Sequence, residues 1–177
     1  MLIRLTNYQN SQILTSITIE NSIPTLQEAF YLWNASLKQV ASTPGIVYTV
    51  TIQPINNAVL SKQKSPGNSL GLPTSAPTGS LIIVELAATW NLASNSLLVS
   101  TAATKLMNKI TAAAKARGTL HRWVDLNHAT TGQSPINGYG AVVRAQLVAV
   151  SKKYDPKGVF QILVPGGFKL KTKYHKI

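Results

Sequence analysis

Cysteine is absent from this 177-residue chain. That excludes disulfides, thiolate metal sites and cysteine nucleophiles, and it leaves the redox compartment open. Acids are scarce: Glu20, Glu28, Glu85, Asp125 and Asp155 are all there are, against 17 Lys and Arg, for a formal charge of +12. With so few carboxylates, His121, His128 and His175 lack the neighbours of a zinc site, and no metal site is expected. No run approaches the roughly 18 apolar residues of a membrane span. The start, Met1-Leu2-Ile3-Arg4-Leu5, is not followed by the apolar stretch of a signal peptide. As a whole gene product the chain is expected in the cytoplasm; as part of a longer chain with a signal peptide it is expected outside the cell.

What is present points to a folded domain. Hydrophobic residues make up 45% of the chain, close to the globular average, so disorder is not the default. The length suits one domain with a real core. The positive charge could attract phosphate polymers. Its placement argues otherwise: Lys169, Lys171, Lys173 and Lys176 crowd the tail, with small clusters at Lys62/Lys64 and Lys152/Lys153/Lys157. No zinc-finger spacing, RNA-recognition motif or helix-turn-helix accompanies them, so nucleic acid is not the expected partner.

Ile13 to Glu20 alternates β-branched residues and predicts a strand. Pro24-Thr25 opens a helix, with Thr25 and Glu28 at capping-box spacing. Leu26, Ala29, Phe30, Trp33, Leu37 and Val40 form its apolar stripe. Thr43-Pro44-Gly45 is a turn. Ile46 to Gln53 is the clearest strand, with Ile46, Tyr48, Val50 and Ile52 on one face and Val47, Thr49, Thr51 and Gln53 on the other. Ser61 to Ser80 reads as a long loop. Leu81 to Trp90 is an apolar strand buried on both faces, and Ser94 to Ala116 a long helix stopped by Gly118. Leu120 to Leu126 predicts a short strand. Pro135 opens a last helix whose stripe is Ile136, Val143, Leu147, Val150 and Tyr154, ended by Asp155-Pro156-Lys157-Gly158. Some connections are too short for parallel crossovers. The expected fold class is α+β, a mostly antiparallel sheet covered by helices.

Most chemical motifs are missing. Gly138-Tyr139-Gly140 is too short for a dinucleotide fingerprint, Pro165-Gly166-Gly167 has no helix after it, and no G-x-S-x-G occurs. Asn34-Ala35-Ser36 is a glycosylation sequon, but it falls on the predicted first helix and is expected to be unused. Glu85 stands out as a carboxylate inside an apolar strand. Buried and unpaired, it would have a raised pKa and suit a general base.

Four segments in order carry a family resemblance. They are Ser42-Thr43-Pro44-Gly45-Ile46-Val47-Tyr48-Thr49-Val50-Thr51-Ile52-Gln53-Pro54, then Gly67-Asn68-Ser69-Leu70-Gly71-Leu72, then Ala112 to Gly118 running through Leu126-Asn127 to Pro135-Ile136-Asn137-Gly138-Tyr139-Gly140. The last is Lys153-Tyr154-Asp155-Pro156-Lys157-Gly158-Val159-Phe160-Gln161, closing with Val164-Pro165-Gly166-Gly167-Phe168-Lys169-Leu170. Over roughly residues 10 to 170 the chain resembles the C-terminal region of fungal FAD-linked oxidases of the berberine-bridge-like group, which have the vanillyl-alcohol-oxidase fold. The resemblance implies a substrate-domain-like region over 1–118, a berberine-bridge-like segment over 119–168 and a basic tail over 169–177. It also implies that the flavin-attachment histidine and phosphate-binding loops lie outside this chain.

The family's Asn-Tyr pair beside the flavin falls on Asn127-His128. Asn127 matches, His128 replaces the Tyr, and Asp125 stands where an aromatic is usual. By this resemblance the cofactor is FAD, contacted by Asn127 and His128, although this chain alone is not expected to retain it. Glu85 is the candidate base, and Tyr48, Gln53 and Trp90 are the candidate substrate wall. The implied function is the substrate-binding region of a truncated FAD oxidoreductase acting on a small, secondary-metabolite-like organic substrate. A flavin-binding domain or a second copy of the chain is the implied protein partner. Two alternatives stay open: a cofactor-free metabolite-binding protein, cyclase or isomerase of the same descent, and a basic, non-enzymatic interaction protein.

Overall fold

The computed structural model describes residues 11–63 and 68–170. Lys64, Gly67, Lys171, Lys173, His175 and Lys176 therefore lie outside the described residues. The fold is α+β. Its sheet has four strands in the order β2-β3-β1-β4, and every neighbouring pair is antiparallel. Strand β1 is Ser11–Glu20, β2 is Val47–Asn56, β3 is Ser80–Trp90 and β4 is Leu120–His121. The most apolar strand, β3, takes a central position, as expected for residues buried on both faces.

One sheet face is covered by helices α1 (Ile23–Ser36) and α3 (Ser96–Ala116). Ile17 and Ile19 of β1, Ile82, Val84, Leu86, Ala88 and Trp90 of β3 and Tyr48 of β2 point into this main core. They meet Ala29 of α1 and Val99, Ala103, Leu106 and Ile110 of α3. The α3 residues recur at three- and four-residue steps, and each large side chain fully buried there contributes about 1.5–3 kcal/mol. Gly118, at φ +68°, ends α3 as its sequence position suggests. Its N–H donates to Lys115 O (3.0 Å) and the Thr119 N–H to Ala114 O (2.9 Å), which satisfies two carbonyls of the last turn.

Four sequence expectations need correction. First, α1 is capped by Ser22, whose Oγ accepts from the Thr25 N–H at 3.4 Å; Thr25 itself is buried inside the first turn. The Thr25/Glu28 pair is therefore not a capping box. Glu28 instead makes an ion pair with Arg117, tying α1 to the end of α3. Second, Phe30 is 55% exposed, and Leu32 takes its place against the core. Third, β4 stops at His121. The His121 ring turns the chain by accepting the Trp123 N–H on Nδ1 at 3.1 Å, which ends the ladder before Leu126.

Fourth, the last helix is not one piece. Gly140, at φ +91°, separates α4 (Pro135–Gly138) from α5 (Ala141–Tyr154). The stripe on α5 is real but half-covered. Val143 and Leu147 pack on the sheet, whereas Val150 and Tyr154 stand in solvent. Asp155 then caps the short helix α6 (Val159–Ile162), accepting the Val159 N–H at 2.8 Å and the Phe160 N–H at 3.0 Å. Among the described residues, no helix is long and apolar enough to cross a membrane.

Candidate functional site

The second sheet face is polar at one end and apolar at the other. Register places Ser16, Glu85 and Thr51 in one row across β1, β3 and β2, and Thr18, Ile83 and Gln53 in the next. The apolar end is covered. Ile83 packs with Trp123 and Tyr139, flanked by Ile55, Leu72, Val143 and Leu147. A short helix, α2 (Asn57–Leu60), and the following loop close the corner through Leu60, Ala76 and Leu81. The loop is held from both sides: Asn57 Nδ2 donates to Ala76 O (3.1 Å), and Trp123 Nε1 donates to Leu70 O (2.8 Å). Toward the other end, Val47, Thr49 and Thr51 are exposed. Glu85 sits on the border, at 7% exposure.

Glu85 is not unpaired there. A 3-10 turn, Leu126–His128, carries the His128 ring back over the sheet, so that Nδ1 lies 3.7 Å from Glu85 Oε2. The same nitrogen lies 2.8 Å from Asp125 Oδ2, a close contact not aligned as a hydrogen bond. Asp125 is itself fixed, since its Oδ1 accepts the Asn127 N–H at 3.1 Å and so caps the turn. A carboxylate–imidazole–carboxylate group thus straddles the edge of the covered face.

The surroundings set the polarity of this group. Ser16 Oγ and Thr18 Oγ1 are buried on the same face without a protein partner. Gln133 braces the free edge of β1, donating from Nε2 to Ser16 O at 2.6 Å. Burial pushes the Tyr139 hydroxyl up from its ordinary pKa, and the charge of Asp125 adds to the effect. His121, also on this face, is pushed down: burial is the main cause and Arg122 adds to it, while Glu20 opposes.

Of the six residues singled out from the sequence, Glu85 and His128 come together. Gln53 shares their sheet face, one row away. Asn127 is exposed beside His128. Tyr48 and Trp90 lie elsewhere: both are in the main core on the opposite face, and Trp90 Nε1 donates to Ser96 Oγ at 3.2 Å. Asp125, Tyr139 and Arg122 were not among the six. Asp125 carried a usable signal, because a carboxylate three residues before a histidine fits the reach of a tight turn.

No family model matches the chain, and no solved structure does. Curated relatives do. The chain is 32% identical over 157 residues to an oligopeptidase of Diaporthe leptostromiformis, covering 88% of this chain and 13% of that protein. It is 36% identical over 110 residues to an FAD-dependent monooxygenase of Aspergillus calidoustus (62% of this chain, 20% of that protein). A third relative, an FAD-dependent monooxygenase of Fusarium proliferatum, is 35% identical over 120 residues (67% of this chain, 23% of that protein). The chain therefore spans less than a quarter of the length of each of these relatives. Two of these three relatives are fungal FAD-dependent monooxygenases, each matched over one portion of its length.

Proposed function

We propose that this chain is the substrate-side portion of a berberine-bridge-like FAD oxidoreductase acting on a small organic substrate. The observation that carries the reading is the Glu85–His128–Asp125 group, placed where the second sheet face passes from covered to open. The likeness to FAD-dependent monooxygenases supports it.

The residues fit one edge of a flavin ring and no more. Asn127 is exposed and offers an amide with both donor and acceptor, and His128 offers a ring nitrogen next to it. The one glycine pair that precedes a long helix is closed: a Cβ on Gly138 would lie 2.4 Å from Arg122 O. Asn127 and His128 would hold the flavin edge, and retention of the whole cofactor would rest on a flavin-binding domain. Bound there, FAD would supply the two-electron redox chemistry.

This chain's own part is proton handling and shape. His128 can accept a proton from a substrate lying against it, and the Asp125 and Glu85 carboxylates beside its Nδ1 would stabilise the imidazolium that forms. Gln53 and Thr51 would offer polar groups beside them on the same sheet face, while Tyr48 and Trp90 hold the sheet from behind. The uncovered half of the α5 stripe, with Phe160 and Leu163, would meet the flavin-binding domain or a second copy.

A transplant tests the reading. The matched segment of the Aspergillus calidoustus monooxygenase is replaced by this chain, with and without Glu85→Gln. Flavin absorbance should be kept in both proteins, and turnover should fall by roughly a hundredfold in the variant, the scale of impaired proton transfer. Unchanged turnover in the variant, or a transplant that binds no flavin, would remove the reading.

A further inference from the structure

A second candidate site is bordered by Tyr139. Three backbone segments meet there: the loop around Asn68 to Thr74, the stretch from His121 to Trp123, and the chain from Gly138 into α5. They meet because glycine permits it. A Cβ on Gly71 would lie 2.3 Å from Tyr139 O, and a Cβ on Gly140 would lie 3.0 Å from the Arg122 guanidinium. The result is a cleft of about 320 Å³, within the size range of small-molecule sites. Leu72, Pro73, Val142 and Val143 give it apolar walls, and Gln146 faces in from α5.

Arg122 is the one charged residue among the described residues of this lining. It has no ion-pair partner among the described residues, and the acid count explains why. The chain has five acidic side chains, and each is engaged elsewhere. Glu20 accepts from Thr78, Glu28 pairs with Arg117, Glu85 and Asp125 face His128, and Asp155 caps α6. Arg122 is exposed at the rim of the cleft, so its guanidinium is open to an incoming anion. A guanidinium at one side of an apolar cleft matches a planar carboxylate carried on an apolar body.

We propose that this cleft binds a small apolar organic acid, whose carboxylate is held by Arg122. The site goes beyond the redox reading and does not depend on it, because binding is measured on the 177-residue chain without flavin.

The test is an amide-detected NMR titration with three probes: phenylacetate, its neutral isostere phenylacetamide, and inorganic phosphate. Phenylacetate should shift the resonances of Gly71, Gly140 and Val142 saturably. Phenylacetamide and phosphate should each bind at least roughly tenfold more weakly, the scale of one lost charge-assisted contact. Arg122→Gln should bring phenylacetate down to the level of the amide. Gln146→Glu, an exposed helix position that leaves the fold intact, should weaken phenylacetate and spare the amide. Lys105→Gln, on α3 away from the cleft, should change nothing. Equal binding of phenylacetate and phenylacetamide overturns the proposal. So does phosphate binding as tightly as phenylacetate, or an equal loss in Lys105→Gln, which would mark diffuse attraction to a basic surface.

Discussion

The Glu85 carboxylate in the middle of β3 and the His128 imidazole on a turn after β4 stand 3.7 Å apart across the edge of a covered sheet face. Trp123 and Tyr139 seal the face beside Ile83, and the 126–128 turn lies over the next row, where Ser16 and Glu85 are buried and Thr51 is exposed. The candidate chemistry therefore depends on how the 119–147 stretch is anchored to the sheet and to the 68–74 loop.

Trp123 is the main anchor. It is 4% exposed, and its Nε1–H is bonded to Leu70 O. Trp123→Phe keeps most of the apolar contact but leaves that carbonyl without its donor. We expect a loss of about 1–2 kcal/mol in urea unfolding, with the 68–74 loop more protease-sensitive. A variant as stable as the parent would mean that the bond is not needed to hold the loop.

Two glycines separate crowding from conformation. Gly71 (φ +67°) and Gly79 (φ +85°) both occupy left-handed backbone, but a Cβ meets Tyr139 O at 2.3 Å in the first and nothing within 4 Å in the second. Gly79→Ala should cost roughly 1 kcal/mol, the conformational penalty alone. Gly71→Ala should cost more than about 2 kcal/mol, because backbone cannot swing aside. Equal midpoints for the two variants would contradict the close approach of the loop to Tyr139.

His121 gives a pH dependence with a definite sign. Its pKa in the fold lies below the ordinary 6.5, chiefly through burial, and Nδ1 must be unprotonated to accept the Trp123 N–H. Between the folded and unfolded values the unfolded chain binds more protons, so stability rises with pH there. The contribution is complete above about pH 6.5 and is lost as the pH falls through the depressed folded value. His121→Asn, whose side-chain oxygen can still accept that N–H, should flatten the stability profile on the acid side of neutrality. An unchanged profile would place the dependence on other groups.

Much of the fold was legible because its signals are local. Alternation in β1, the apolar run of β3, the periodic face of α3 and Gly118 each follow from a few neighbouring residues. Other features turn on tertiary choices. Ser22 caps α1 because Thr25 is drawn into the core, and Gly140 bends the chain so that Arg122 can pack against it. The candidate site was half legible. Glu85 showed itself as a carboxylate among apolar neighbours. Strand period alone separates the others: Tyr48 and Gln53, like Glu85 and Trp90, are an odd number of positions apart and so must face opposite ways. The pairing of Glu85 with His128 was not legible, because it depends on where the 126–128 turn lands.

If Glu85 and His128 act as one unit on a substrate, a kinetic double-mutant cycle shows it most directly. In the flavin-loaded transplant, kcat/KM is measured for Glu85→Gln, His128→Gln and the double variant. Each single change should cost nearly as much as both together, with flavin content unaltered, as for residues that serve one step. Losses that multiply, or single variants that turn over like the parent, would contradict a shared role.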